Sequence, residues 1–194
     1  MNLMILVSIL FPALGAFFNI KRLITIKLAL ILCLFLAKGG QIPLYFITFG
    51  IPSLLAAITF RYSIFTNLKY QKTIDFSLRV ALPLVAIILF AIHPVGQNAI
   101  PYSFYWFIPI VLYFVGKKST LLTSLSSTFV AHAAGSIFWL YSLPTISAYW
   151  LHLIPVVALE RALIVLGLVI TYNSLVALKR KLLKNQIAFV NFMR

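Results

Sequence analysis

The stretch YWLHLIPVVALERALIVLGLVITYNSLVAL, residues 149–178, decides the fold class of this chain. Only Glu160 and Arg161 within it carry a full charge at neutral pH. A helix needs about 20 predominantly apolar residues to cross the hydrocarbon of a bilayer. The stretch satisfies that requirement and therefore predicts a transmembrane helix.

The rest of the chain has the same character. Of its 194 residues 63% are hydrophobic and 9% are charged, with a mean hydropathy of +1.08. About a quarter of a typical soluble domain is charged, so a water-soluble fold is excluded. We expect an all-α polytopic transmembrane helix bundle that forms a single integral membrane domain over residues 1–194. About seven spans are predicted, with six as the alternative, at 2–20, 23–38, 42–60, 79–95, 102–116, 120–141 and 149–178.

Sixteen Lys and Arg residues against two acids give a formal net charge of +14. If the seven segments alternate, all the basic residues between spans and at the termini except Lys38 fall on one side. Positive charge marks the cytoplasmic side. This predicts an outer N-terminus, a basic cytoplasmic tail at 179–194 and residence in the cell (inner) membrane. The charges then serve topology and contact with the lipid bilayer, and nucleic acid is discounted as a partner.

A histidine stands in the stretch STFVAHAAGSIFWLY, residues 127–141. A rise of 1.5 Å per residue places His132 roughly 13 Å, and Glu160 roughly 16 Å, from the outer ends of their helices. Antiparallel neighbouring helices would let these two side chains meet. Ionisable groups at such depth mark a functional site by default, and a solute-binding or proton-carrying cluster is one interpretation. The structural alternative is a pair of His132 or Arg161 with Glu160 that only holds helices together.

Further side chains extend this hypothesis. Tyr149, Trp150 and His152 are expected to form the substrate-binding rim of an outward-facing pocket, with His132 and Glu160 at its floor. The alternative for the aromatic residues is an interfacial belt. Adjacent helical positions point about 100° apart, so Glu160 and Arg161 are expected to face different partners. Arg161 and Ser136 are interpreted as polar residues that pair helices.

The chemistry of enzymes is not indicated. The sequence has no HExxH or GxSxG motif and no pair of intramembrane aspartates. Cys33 is the single cysteine, which excludes a cysteine zinc site. We therefore expect no enzymatic activity, no metal site and no cofactor.

Residues 126–180, SSTFVAHAAGSIFWLYSLPTISAYWLHLIPVVALERALIVLGLVITYNSLVALKR, resemble the last two helices of S components of energy-coupling-factor vitamin transporters. In that family a helix rich in small residues ends in aromatics, a short outer loop follows, and a long final helix closes with a basic end. The resemblance implies capture of a vitamin-like solute from outside. It also implies a separate coupling membrane subunit and ATPases as partners, since this chain has no Walker A motif.

Two functions from different classes follow from these observations. The first is a small-solute uptake subunit with an outward-facing binding pocket. The second is a non-transporting membrane scaffold or assembly protein, in which the buried polar cluster only fixes helix packing.

Overall fold

The computed structural model describes residues 3–37, 44–65, 67–116 and 119–192, with side chains described at 8–33, 36, 50–65, 67–116 and 119–186. The described residues form helices and connecting turns and contain no β-strand. A π-helical turn, Ser77–Ala81, joins α4 to α5, and a 3-10 helix, Ile100–Trp106, leads into α7. The α-helices are α1 Leu3–Gly15, α2 Ile20–Ala37, α3 Leu44–Ile64, α4 Gln71–Phe76, α5 Leu82–Ile92, α6 Pro94–Gln97, α7 Phe107–Val115, α8 Thr120–Ser142 and α9 Ser147–Phe192.

The all-helical fold class is confirmed, and each predicted span overlaps at least one helix. Within the described ranges, four helical segments are long and apolar enough to cross a membrane. Their outward sides carry exposed aliphatic residues such as Ile88 on α5 and Leu159 on α9, as lipid-facing helices do. These segments are Gln71–Ile92, Gln97–Val115, Thr120–Ser142 and Ser147–Gln186.

The helix α8 occupies the centre of the bundle. In the apolar 18-residue stretch of α8, 56% of the residues are buried, compared with 22% to 33% in the corresponding stretches of the other three segments. Its buried side includes hydroxyl groups, and Ser127 Oγ donates to the carbonyl of Ala56 on α3 at 2.8 Å. A Cβ added to Gly135 would lie 3.5 Å from Pro52 Cγ, also on α3. Small residues thus bring the two helices close, as they do in other membrane bundles.

Residues 61–77, which lie between the predicted third and fourth spans, are mostly helical. The predicted fourth span starts at residue 79, whereas the helix that contains it begins at Gln71 and continues through the π turn to Ile92. Asp75 is buried and accepts hydrogen bonds from Ser63 Oγ at 2.8 Å and Arg79 Nη1 at 3.2 Å. Arg79 Nε also donates to Ser126 Oγ on α8 at 2.8 Å.

Two other predicted boundaries differ from the structure. The first span was expected to reach residue 20, but α1 ends at Gly15. Asn19 Oδ1 accepts from the backbone N–H of Arg22 at 2.9 Å, which caps the start of α2. A Cβ at Gly15 would approach the carbonyl oxygen of Ala57 to 2.3 Å, so α1 crosses α3 where only glycine fits. At the other end, α9 continues without interruption through most of the predicted tail, to Phe192.

Candidate functional site

A cavity of about 260 Å³ lies where α8 and α9 face α1, α3 and the 3-10 helix. Its walls combine aromatic rings, hydroxyl groups, one imidazole and an ion pair. The side chains come from Ser8 on α1, Pro52, Ser53 and Ala56 on α3, Tyr102 on the 3-10 helix, Thr128, Ala131, His132, Gly135, Ser136 and Trp139 on α8, and Tyr149, Trp150, Leu153, Val156, Val157, Glu160, Arg161 and Ile164 on α9.

The structure brings together all the residues that the sequence nominated except His152. The side chain of His152 is exposed, and its Nδ1 donates to the carbonyl of Ala148 on the same helix at 2.8 Å. It therefore lies outside the cavity wall. The nominated residues that do line the cavity are His132, Ser136, Tyr149, Trp150, Glu160 and Arg161.

His132 is enclosed by aromatic rings and is only 5% exposed. Its ring centroid lies 5.5 Å from that of Tyr102 and 6.0 Å from that of Phe129. Among the described residues, His132 Nε2 and Thr128 Oγ1 are buried without a hydrogen-bond partner. A buried polar atom left unsatisfied costs about 1–3 kcal/mol. Both atoms belong to cavity-lining side chains, whereas Trp106 Nε1 and Ser124 Oγ lack partners away from the cavity lining.

Glu160 and Arg161 do not face different partners as expected. Arg161 Nη2 lies 3.1 Å from Glu160 Oε2, and both side chains line the cavity. The two long side chains bend toward each other because each finds its counter-charge there. The pair belongs to one helix, so it does not connect two helices. In the described structure His132 and Glu160 share the cavity without a hydrogen bond between them.

The position of Trp150 also differs from the expected rim. Its side chain is 1% exposed and its indole N–H donates to Thr145 Oγ1 at 3.0 Å. Its ring packs against Tyr102, with centroids 4.9 Å apart. The Tyr102 hydroxyl in turn lies 3.2 Å from Ser136 Oγ on α8. Trp150 is thus part of an interior aromatic wall, whereas Tyr149 is 41% exposed.

Sequence reasoning missed the α3 side of the site. Ser53 lines the cavity, accepts a hydrogen bond from Lys27 Nζ at 2.7 Å and donates to the carbonyl of Gly50 at 3.0 Å. The available signal was Lys27 itself, a cation within an apolar segment of a chain with two acids. The position of Lys27 in the sequence did not indicate that its partner, Ser53, would lie on a different helix.

The described residues contain no group of three His, Cys, Asp or Glu side chains that could hold a metal ion. The cavity offers instead hydrogen-bonding groups, an ion pair and aromatic surfaces. These groups are suited to holding an organic molecule in one orientation. Comparison with protein-family models, curated protein sequences and solved structures finds no match to this chain.

Proposed function

We propose that this chain is an integral membrane subunit for uptake of a small solute, with the cavity between α8, α9 and α3 as its binding pocket. The observation that carries the proposal is the convergence of His132, Glu160, Arg161, Tyr149 and Trp150 on one cavity. These residues were selected from the sequence for their chemistry and depth. Residues that only fixed separate helix contacts would not be expected to line one cavity.

The lining supports binding of a compact organic solute. A volume of about 260 Å³ lies just below the range for small-molecule sites, roughly 300–1,000 Å³, which favours a compact molecule. His132 Nε2 and Thr128 Oγ1 would form hydrogen bonds with polar atoms of the solute. Tyr102 and Trp150 would pack against its flat face, since aromatic walls provide large apolar contact at a fixed position. The paired Glu160 and Arg161 would orient donors and acceptors.

The proposed setting is the cell (inner) membrane, with about seven spans, an outer N-terminus and a cytoplasmic C-terminus. The charge bias of the sequence supports this orientation. By the resemblance of residues 126–180, the solute is vitamin-like, the pocket opens outward, and a coupling membrane subunit with ATPases supplies the energy. Exposure of Tyr149 at the cavity agrees with an outer entrance near the start of α9.

Cysteine labelling tests the orientation. Cys33 is first replaced by serine, and Asn98→Cys or Lys72→Cys is added, both at exposed positions. An impermeant maleimide applied to intact cells should label Asn98→Cys, while Lys72→Cys should react only after permeabilisation. The opposite pattern would overturn the orientation.

Native mass spectrometry of the protein, purified in mild detergent from its own host, tests the function. We expect a bound small molecule in the wild type and its loss in His132→Ala and Glu160→Gln. His152→Ala is the matched control, because this exposed histidine lies outside the cavity. A wild type without any solute, or equal retention in the two histidine variants, contradicts the proposal.

The alternative function, a non-transporting scaffold or assembly protein, is favoured by the polar bonds that fasten α8 to its neighbours. Ser127 Oγ binds the carbonyl of Ala56, and Ser126 Oγ accepts from Arg79. The two functions differ in the expected behaviour of Glu160→Gln. An uptake subunit keeps its abundance and loses solute, whereas a scaffold whose cluster only holds helices loses abundance.

A further inference from the structure

Four basic side chains in the described part of the chain are buried or half-buried: Lys27, Arg61, Arg79 and Arg161. Arg79 is paired with Asp75 and Arg161 with Glu160. Arg61 Nη1 donates to the carbonyls of Gly15 and Phe18, at 3.2 and 2.9 Å. The Gly15 carbonyl lies at the end of α1, where the helix dipole is negative, and the Phe18 carbonyl lies in the turn that follows. Three of these cations therefore have a negative or partly negative counterpart.

Lys27 is the exception. Its ammonium donates to the neutral hydroxyl of Ser53 and lies 4.8 Å from the centre of the Phe11 ring. The face of an aromatic ring contributes some attraction to a cation, but it supplies no net charge. Within the described residues Lys27 has no carboxylate at ion-pair distance.

The composition of the whole chain sharpens this observation. Asp75 and Glu160 are the only acidic side chains among the 194 residues, and both are already engaged by arginines. No acidic side chain elsewhere in the chain can therefore balance Lys27. Partly buried charges in membrane helices are costly and are normally paired, so a counter-charge from another molecule would stabilise Lys27.

The position of Lys27 shows where that molecule can lie. Its ammonium is 2.7 Å from Ser53 Oγ, and Ser53 is part of the cavity wall. The charge is thus one hydroxyl group removed from the cavity. Since Glu160 and Arg161 compensate each other, Lys27 leaves this region with an excess of one positive charge.

We propose that the cavity binds an organic anion whose negatively charged oxygen group lies at the Ser53 wall and balances Lys27. The inference rests on the proposed function and specifies its substrate class. A carboxylate or a phosphate group supplies the required negative charge, and its attraction to the ammonium acts across the one hydroxyl group that separates the two. The aromatic wall of Tyr102 and Trp150 on the 3-10 helix and α9 would contact the uncharged, flat part of the same molecule.

An anionic oxygen group can belong to a soluble molecule or to a lipid headgroup. We favour the soluble source, because the hydroxyl that binds Lys27 lines a cavity whose wall also carries an imidazole, further hydroxyl groups and an ion pair. The experiment distinguishes the two sources by extracting both water-soluble molecules and lipids from the same purified sample.

Wild type, Lys27→Gln, Lys27→Met, Lys27→Arg and the control Lys72→Gln are purified in mild detergent, and bound molecules are identified and quantified per mole of folded protein. Lys72 is exposed, so its replacement controls for the loss of one positive charge. We expect a water-soluble anion in wild type and Lys72→Gln, at least tenfold less in Lys27→Gln, and substantial retention in Lys27→Arg. Lys27→Met replaces the ammonium with an apolar group of similar length and secures the result if Lys27→Gln folds poorly.

A neutral or cationic solute whose retention depends on His132 but not on Lys27 would overturn this inference and leave the proposed function standing. An anionic phospholipid that depends on Lys27, beside a separate solute that does not, would also overturn it, because the lipid would then supply the counter-charge. A wild type without any bound solute would contradict the proposed function itself, and the substrate class would fall with it.

Discussion

Replacement of Asp75 by asparagine should destabilise the folded protein strongly, although this residue lies outside the spans predicted from the sequence. Asp75 lies 3.2 Å from Arg79, and the two side chains are 11% and 10% exposed. Asparagine has nearly the same shape and can still accept from Ser63 Oγ. The substitution therefore removes the negative charge with little change in packing.

The magnitude follows from the geometry of the pair. With an effective dielectric constant of about 20, two unit charges 3.2 Å apart attract each other by roughly 5 kcal/mol. Removing one partner leaves the other charge buried, which typically costs about 3–5 kcal/mol. We expect Asp75→Asn to lower the free energy of unfolding by that amount. For a chain of this size the melting temperature should fall by roughly 10 °C.

The assay is thermal unfolding of the detergent-purified protein, followed by the monodisperse peak in size-exclusion chromatography. The exposed Lys72→Gln variant is the control and should unfold at the wild-type temperature. Asp75→Leu combined with Arg79→Leu should recover most of the loss, since apolar residues of similar volume often replace a buried ion pair without cost. If Asp75→Asn unfolds at the same temperature as Lys72→Gln, then Asp75 and Arg79 do not form a buried stabilising ion pair, and the reasoning is refuted.

Two further predictions use the same unfolding assay. Gly15→Ala should lower the free energy of unfolding by roughly 1–3 kcal/mol through overpacking, because the added Cβ would lie 2.3 Å from the Ala57 carbonyl oxygen. Gly135→Ala is the control and should fold normally, since its added Cβ has its nearest neighbour at 3.5 Å. Equal stability of the two variants would contradict the close crossing of α1 and α3. Trp150→Phe should lower the free energy of unfolding by about 1 kcal/mol, because it removes the 3.0 Å hydrogen bond to Thr145. An unchanged melting temperature would show that this hydrogen bond does not stabilise the protein.

Much of the fold was predictable because the membrane imposes simple rules on a sequence. Apolar segments of sufficient length identified every region that the structure shows as a major helix, and 120–141 nearly coincides with Thr120–Ser142. The failures occurred where a charge was taken as a sign of the surface. Asp75 and Arg79 stand four residues apart, a helical spacing that allows pairing, and their pairing lets a helix begin at Gln71.

The candidate site was predictable for residues whose chemistry is unusual in an apolar helix. His132 and Glu160 were identified because ionisable groups are rare at such depth, and both line the cavity. The fine geometry was not predictable. Because Glu160 and Arg161 are adjacent in a helix, they were predicted to point in different directions. Their flexible side chains nevertheless bring the charged ends to 3.1 Å. Ser53 carried no signal, since a serine in an apolar helix also serves ordinary helix packing.

An experimental structure of the protein, purified gently from its own host and reconstituted in a lipid nanodisc, tests the central claim most directly. We predict non-protein density of a compact organic molecule in the cavity, in contact with Trp150 and within hydrogen-bond distance of His132 Nε2. A cavity closed by collapsed side chains, or filled by a lipid acyl chain, would contradict the account.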